Sequence, residues 1–131
     1  MVDYSRSGLH HDTERISQWA VTVKDDEGFV IDLVDRPPPG EIRRLQKTQG
    51  RVGVSMNLWK FSYNHILPFL ESVPLHPVRQ EKELNAAVKM MVLQRPRSLY
   101  AIPLSEHVVD LTSKADIPVV EEYVRKEFPN L

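Results

Sequence analysis

Asp110 carries a carboxylate at a position where a metal ion could be held. It follows the apolar pair Val108-Val109 and lies a few residues before a helical pattern that begins at Asp116. Hard cations such as Mg²⁺ take oxygen ligands from one or two carboxylates and from substrate phosphates. Asp110 is therefore a candidate Mg²⁺ ligand. The alternative is structural, with Asp110 or Thr112 merely capping the start of a helix.

A second candidate is the acid–base pair Asp35-Arg36, which stands directly before Pro37 at the end of a β-rich run. A carboxylate accepts hydrogen bonds from sugar hydroxyls, and a guanidinium forks onto phosphate oxygens. An adjacent pair of this kind suits a sugar phosphate. The alternative is an ordinary exposed ion pair before a proline turn.

Two further polar positions interrupt apolar patterns. Asn57 lies within the apolar run 52–61, where a buried amide needs a partner from either the neighbouring backbone or a ligand. Glu81 and Glu83 open the longest helical pattern, where the helix macrodipole favours acidic side chains for structural reasons alone. From either position alone, the sequence does not decide between a structural role and ligand binding.

The histidines give a weaker signal. His10 and His11 precede Asp12 in an aperiodic segment, so the three side chains are adjacent rather than spaced along one helix face. A small metal-binding protein is accordingly the least favoured interpretation. The remaining histidines each stand alone in the sequence, and we expect no catalytic role for them: His65, His76 and His107.

Composition limits the class of protein. The chain has 131 residues, of which 41% are hydrophobic and 27% charged, as in one globular domain or part of one. It has no cysteine, which excludes disulfide scaffolds, thiol catalysis and Cys-ligated zinc. A net charge of −1 argues against a nucleic-acid partner. No apolar run approaches the ~20 residues that span a bilayer, and the N-terminus lacks a secretory signal. We therefore predict a cytoplasmic protein that does not bind a membrane.

Hydrophobic periodicity predicts the elements that position these residues. Residues 1–17 show no period and are expected to form an irregular arm. Alternating patterns predict four strands, the first two joined as a hairpin: 18–24, 29–34, 52–61 and 98–104. Helical spacing or capping predicts three helices: 62–70, 80–94 and 116–128. Residues 37–40, three prolines and a glycine, oppose regular structure. The order of elements predicts an α/β fold with a mixed sheet and packed helices.

In this order the motifs resemble those of the sugar-phosphate nucleotidyltransferases, the nucleoside-diphosphate-sugar pyrophosphorylase superfamily. Val34-Asp35-Arg36-Pro37 is similar to a Glu-Lys-Pro triplet that follows a strand in the family. Residues 55–61, SMNLWKF, resemble its strand of pattern Ser-Met-Gly-Ile-Tyr-x-Phe. Residues 81–84 are similar to a helix that opens with Glu, and residues 110–112 to an Asp-x-Gly-Thr loop. The resemblance covers about residues 18–125 and points to the C-terminal half of the family fold.

The resemblance implies that residues 18–131 form the sugar-phosphate-binding half of a Rossmann-like nucleotidyltransferase domain. It implies Mg²⁺-dependent transfer of a nucleotidyl group from a nucleoside triphosphate (NTP) to a sugar 1-phosphate, with release of pyrophosphate. Asp110 would be the metal ligand. The sugar-phosphate site would be formed by Asp35, Arg36, Asn57 and Glu81. Within it, Asp35 would bind sugar hydroxyls and Arg36 the phosphate.

This chain departs from the family pattern at the site itself. Ala20 stands in place of a Gly, Asp35 of a Glu, Arg36 of a Lys and Asn57 of a Gly, and the Asp110 loop lacks its Gly. The sequence also lacks the family's Gly-rich nucleotide loop and its first metal-binding Asp. We therefore expect a portion of an enzyme that is inactive alone, whose exposed sheet edges a homo-oligomer would cover. The alternative is a non-catalytic interaction or regulatory module that uses the same fold.

Overall fold

The computed structural model describes residues 1–130 as one five-stranded sheet with helices packed against it. The strands are β1 (Val2–Ser5), β2 (Val21–Lys24), β3 (Val30–Val34), β4 (Gly53–Val54) and β5 (Ile102–Leu104). The helices are α1 (Thr13–Ser17), α2 (Pro39–Gln49), α3 (Tyr63–Ser72), α4 (Leu84–Gln94) and α5 (Ile117–Glu127). The mixed α/β class is thus confirmed. Leu131, the last residue of the predicted sugar-phosphate half, lies outside the described residues.

The strand order is β3-β2-β4-β1-β5, so β2 lies between β3 and β4. β2 is antiparallel to both neighbours, and Val21 at its start pairs with Val34 on β3 and with Val54 on β4. β1 is antiparallel to β4 and parallel to β5, so the sheet is mixed. Because antiparallel strands reverse direction, the segments that precede β2 and follow β3 and β4 all emerge at one end of the sheet.

Two apolar clusters hold α2, α3 and α4 on the sheet. One packs α2 against the sheet interior through Tyr4, Val21, Leu45, Val52 and Val54. The other packs α3 and α4 against β3 through Val30, Leu33, Phe69, Val88 and Met91. On α4 the buried positions recur at helical spacing, which makes one face of this helix apolar. Full burial of each large apolar side chain stabilises the fold by roughly 1.5–3 kcal/mol.

The N-terminal segment differs from its prediction. Residues 1–17 contain β1, which lies inside the sheet between β4 and β5, and the helix α1. β1 was not predicted because one of its two faces carries side chains that are polar although they are buried. Asp3 and Ser5 are both buried; Thr22 and Arg51 donate hydrogen bonds to Asp3, and the hydroxyl of Ser5 pairs with that of Ser7. A hydrophobic alternation cannot reveal a strand whose buried polar face is satisfied by partners distant in sequence.

One helix was not predicted, and several element boundaries also differ from the sequence prediction. Irregular structure was expected over 37–40, but α2 begins at Pro39, because a proline in the first turn loses no helical hydrogen bond. The strand predicted over 52–61 ends at Val54, which leaves Asn57 outside it. The helix predicted from residue 80 begins at Leu84, so Glu81 precedes its first turn.

Within residues 1–130, none of the helices has the length and apolar character needed to cross a membrane.

Candidate functional site

One cleft of about 760 Å³ is lined by the five residues predicted to form the sugar-phosphate and metal sites. These residues are Asp35, Arg36, Asn57, Glu81 and Asp110. They come from separate parts of the chain, and the sheet register brings them together at the end where β2 begins and β3 and β4 finish. The volume lies within the roughly 300–1,000 Å³ of ordinary small-molecule sites.

The cleft is built from strand ends on one side and a helix on the other. Asp35 and Arg36 follow β3, while residues 55–57 follow β4. The segment 18–20, which leads into β2, lies between them. The first turns of α4 line the opposite side through Leu84 to Ala86 and Lys89. Polar loops on a packed sheet therefore form this site, the usual arrangement for binding groups.

Arg36 is the cation in the cleft that is most available to an anion. Its side chain is 59% exposed, and its Nε lies 3.9 Å from Oδ2 of Asp35, a loose and solvated contact. Its backbone φ is +43°, a left-handed conformation that residues other than glycine seldom adopt. Strain of this kind is found preferentially at functional sites. Arg36 can therefore contact a phosphate without first breaking a buried ion pair.

Asn57 has an exposed side chain rather than the buried amide expected from the sequence. Its backbone φ is +59°, in the left-handed region that glycine and asparagine tolerate best. Its backbone N–H donates to Oγ of Ser55 at 3.3 Å, and the indole N–H of Trp59 lies 3.5 Å from its Oδ1. The exposed side-chain amide N–H groups of Asn57 are available to a ligand.

Glu81 lies in the loop before α4 and is held mainly through its backbone. Its carbonyl accepts a hydrogen bond from the N–H of His76 at 2.8 Å, while its carboxylate lies 4.0 Å from Nε of Arg79. The carboxylate is 61% exposed and is free to accept hydrogen bonds from hydroxyl groups. The structure therefore places Glu81 in the cleft as a loop residue.

Three cations in the cleft were missed by the sequence reasoning, and all three are engaged by the protein. Lys89 Nζ contacts Oδ1 of Asp32 at 2.8 Å and donates to the carbonyl of Leu33 at 3.1 Å. Lys82 donates to the last carbonyls of α3, and Arg79 pairs with Glu83. The only indication of these three cations in the sequence was that they lie close to the start of a predicted helix. Their pairing leaves Arg36 as the main candidate for binding an anion.

Asn85 is a further polar residue of the cleft that the sequence reasoning missed. It lies in the first turn of α4, and its Oδ1 is buried without a hydrogen-bond partner among the described residues. An unsatisfied buried acceptor is costly, so it calls for an explanation. The Oδ1 atom is shielded from solvent, so the cleft does not expose it to a ligand. The only signal in the sequence was a polar side chain between the apolar residues Leu84 and Ala86.

Asp110 is held by a residue from the other end of the chain. Nε and Nη2 of Arg15 on α1 donate to its Oδ2 at 3.0 and 2.9 Å, and Nη2 also donates to its backbone carbonyl at 3.0 Å. Nη1 of Arg15 donates to Oδ1 of Asp116 at 2.6 Å. Arg15 and then the backbone N–H of Ser113 hold the pKa of Asp116 well below its usual range. The hydrogen bonds to Asp116 and Asp110 raise the pKa of Arg15 further above its usual value.

These residues do not fit a Mg²⁺ site. Arg15 engages Oδ2 of Asp110, and the hydroxyl of Thr112 lies 3.0 Å from both carboxylate oxygens. Within the described part of the chain, no group of three or more acidic or histidine side chains is arranged to hold a metal ion. Arg15 was missed because it lies in a segment expected to be irregular, 95 residues from Asp110.

The geometry therefore suits a polar ligand with an anionic group, which Arg36 can contact while carboxylates and amides surround it. No protein-family model, curated protein or solved structure matches the chain. A function for the cleft has to be inferred from its own side chains.

Proposed function

We propose that this chain supplies the sugar-phosphate-binding portion of a nucleotidyltransferase. The complete enzyme would transfer a nucleotidyl group from an NTP to a sugar 1-phosphate and release pyrophosphate. The observation that supports this is the convergence, at one cleft, of motifs that resemble that family in their order along the chain. A Rossmann-like relationship of the mixed sheet and a cytoplasmic location belong to the same proposal.

In the proposed complex, Arg36 binds the phosphate group through charge-assisted hydrogen bonds. Asp35, which is adjacent to it, accepts hydrogen bonds from sugar hydroxyls, as does the exposed carboxylate of Glu81. The amide of Asn57 binds at the rim of the cleft. Each side chain thus has a partner of matching chemistry in a sugar phosphate.

The reaction would need positioning rather than a covalent intermediate. A phosphate oxygen of the bound sugar 1-phosphate attacks the α-phosphorus of the NTP, and the bond to the bridging oxygen breaks as pyrophosphate leaves. The role of this portion is to orient the attacking oxygen in line with that bond. The positive charge of Arg36 would help to hold the attacking phosphate close to a second anion.

Calorimetric titration with a panel of sugar 1-phosphates tests the proposal. We expect one sugar phosphate to bind the native chain, and Arg36→Ala to weaken its binding by about tenfold or more, because a charge-assisted hydrogen bond contributes roughly 1.5–3 kcal/mol. Arg43→Ala, which removes an exposed cation of α2 outside the cleft, is the matched control and should leave binding unchanged. A folded native chain that binds no member of the panel contradicts the proposal.

That contradictory outcome would favour the second candidate, a non-catalytic interaction or regulatory module. One structural observation supports this candidate. None of the residues of α5 is buried, and its apolar side chain Val119 is 65% exposed, with the following Phe128 51% exposed. A helix face of this kind would be covered in a complex, including a homo-oligomer. Sedimentation of the native chain, compared with Val119→Asp, measures whether α5 is such a contact.

A further inference from the structure

We infer that Arg15 takes the place of a divalent cation beside Asp110, so that this chain holds the carboxylate with a guanidinium instead of a metal ion. The observation is the forked contact in which Arg15 binds Asp110 and Asp116 together. Asp110 lies in the segment 110–112 that resembles a metal-binding loop, and Asp116 follows it as the N-cap of α5. The guanidinium therefore satisfies the acidic groups that a metal would otherwise need.

The geometry of the pair leaves little room for an ion. Arg15 uses Nε and both terminal nitrogens in four hydrogen bonds, two of them to Oδ2 of Asp110. Mg²⁺ requires oxygen ligands at about 2.0–2.1 Å in octahedral geometry. An ion bound to Oδ2 at that distance would lie against the guanidinium nitrogen that is now 2.9 Å from the same oxygen. Metal binding through Oδ2 and the ion pair therefore exclude each other, and Oδ1 is contacted by the hydroxyl of Thr112 at 3.0 Å.

The charges favour the arginine as well. A cation that displaced Arg15 would break its contacts with both Asp110 and Asp116. Asp116 would remain fixed by the N–H groups of Thr112 and Ser113, which hold its Oδ2 at 3.0 and 2.7 Å. It would then lack its cationic partner. Because two cations at one carboxylate also repel each other, an ion beside Asp110 would have to displace Arg15 rather than bind alongside it.

Arg15 also lies close enough to the cleft to affect a ligand there. The hollow that it lines is adjacent to the cleft, and both are lined by Gln18, Trp19, Asp110 and Thr112. The side chain of Arg15 is 30% exposed, so its charge is accessible from this hollow. A guanidinium suits phosphate oxygens by geometry and charge. Arg15 would thus supply one fixed positive charge where a metal ion would supply two.

Binding of Mn²⁺, followed by electron paramagnetic resonance, tests the exclusion without any sugar phosphate. We expect the native chain and Asp110→Asn to bind Mn²⁺ equally weakly. Arg15→Gln should bind it about tenfold or more tightly, since the repelling charge is gone, and Arg15→Gln/Asp110→Asn should lose that gain. Asp116→Asn is the matched control because it leaves the Arg15–Asp110 contact in place, and it should gain nothing.

Two results would overturn the inference. One is a native chain whose Mn²⁺ affinity falls about tenfold in Asp110→Asn; this comparison stays decisive even where Arg15→Gln fails to fold, as judged by circular dichroism. The other is a folded Arg15→Gln that gains no Asp110-dependent binding.

A second measurement rests on the proposed function. Sugar 1-phosphate affinity should be the same in EDTA and in Mg²⁺, and an Mg²⁺-dependent gain of about tenfold that Asp110→Asn abolishes contradicts the inference. Failure of the sugar phosphate to bind would count against the proposed function alone, because the Mn²⁺ titration needs no sugar.

Discussion

Gly53 on β4 lies directly against the carboxylate of Asp3 on the neighbouring strand β1. A Cβ atom added at position 53 would fall 1.9 Å from Oδ1 of Asp3 and 2.2 Å from its Cγ. Asp3 is fully buried, and it is held by the hydroxyl of Thr22 at 2.5 Å, by Nζ of Lys24 at 3.2 Å and by the guanidinium of Arg51. The missing side chain at position 53 therefore makes room for a buried charged group inside the sheet.

Gly53→Ala should destabilise the protein by about 3 kcal/mol, because the new methyl group would overlap a carboxylate that its partners hold in place. Urea denaturation measures the change in the free energy of unfolding. Gly40→Ala is the control: position 40 lies in the first turn of α2, and an added Cβ meets no atom within 4 Å. It should be neutral or stabilising by up to about 1 kcal/mol. Equal stability of the two variants would show that the close approach to Asp3 is not a constraint.

Asp3→Ala should destabilise the fold by about 3–5 kcal/mol, since removing one partner of a buried ion pair leaves the other charge uncompensated. Burial lowers the pKa of Lys24, and the negative charge of Asp3 opposes that effect. Glu27→Ala is the control, because it breaks the exposed pair with Arg97 and should cost about 1 kcal/mol or less. Chemical denaturation measures the free energy of unfolding of both variants. A similar loss of stability in Asp3→Ala and Glu27→Ala would show that the buried ion pair stabilises the fold no more than the exposed one.

Substitutions of Asn57 separate its backbone role from its side-chain role. Asn57→Gly should retain the stability of the native chain to within about 1 kcal/mol, since glycine readily adopts a positive φ. It should nevertheless weaken sugar 1-phosphate binding, because the amide is lost. Asn57→Val should lower the free energy of unfolding by about 1–3 kcal/mol, because a β-branched residue is strained at a φ of +59°. Thermal denaturation and calorimetry together test this, and tight binding by Asn57→Gly would remove Asn57 from the site.

His107 makes stability depend on pH. Burial, and then the Coulombic interactions with His11 and His10, lower the pKa of His107, although Glu127 acts in the opposite direction. The unfolded chain therefore takes up a proton first, at its ordinary pKa of about 6.5. The stability that depends on neutral His107 is complete above that pH and is lost as the pH falls through the lower pKa of the folded state.

Denaturation at a series of pH values between neutral and acid measures this loss. His107→Phe keeps a ring next to Tyr123 but cannot be protonated, so its stability should change less with pH in that range. His65→Gln, an exposed change on α3, should leave the slope unaltered. An unchanged slope in His107→Phe would assign the acid sensitivity to other groups.

Local patterns predicted the elements whose buried face is apolar. The hairpin of β2 and β3 followed from alternation on both sides of a turn, and α4 from the spacing of Ala87, Val88, Met91 and Val92. The same logic failed for β1, where buried Asp3 depends on Thr22 and Arg51, which are far away in the sequence. It also failed for α2, since three prolines suggested a loop and the last of them in fact begins the helix.

For the candidate site, the sequence by itself predicted five of the side chains that line the cleft, because each stands where an apolar run ends and a loop or helix begins, but it missed Arg79, Lys82, Asn85 and Lys89. It did not determine what they contact. Arg15 and Asp110 are 95 residues apart, and only the packing of α1 against the C-terminal segment converts a candidate metal ligand into one half of an ion pair. Hydrophobic periodicity reports whether a position is buried, which is a local property. The choice of a polar partner depends on which distant segments meet in space, and only the tertiary structure decides that.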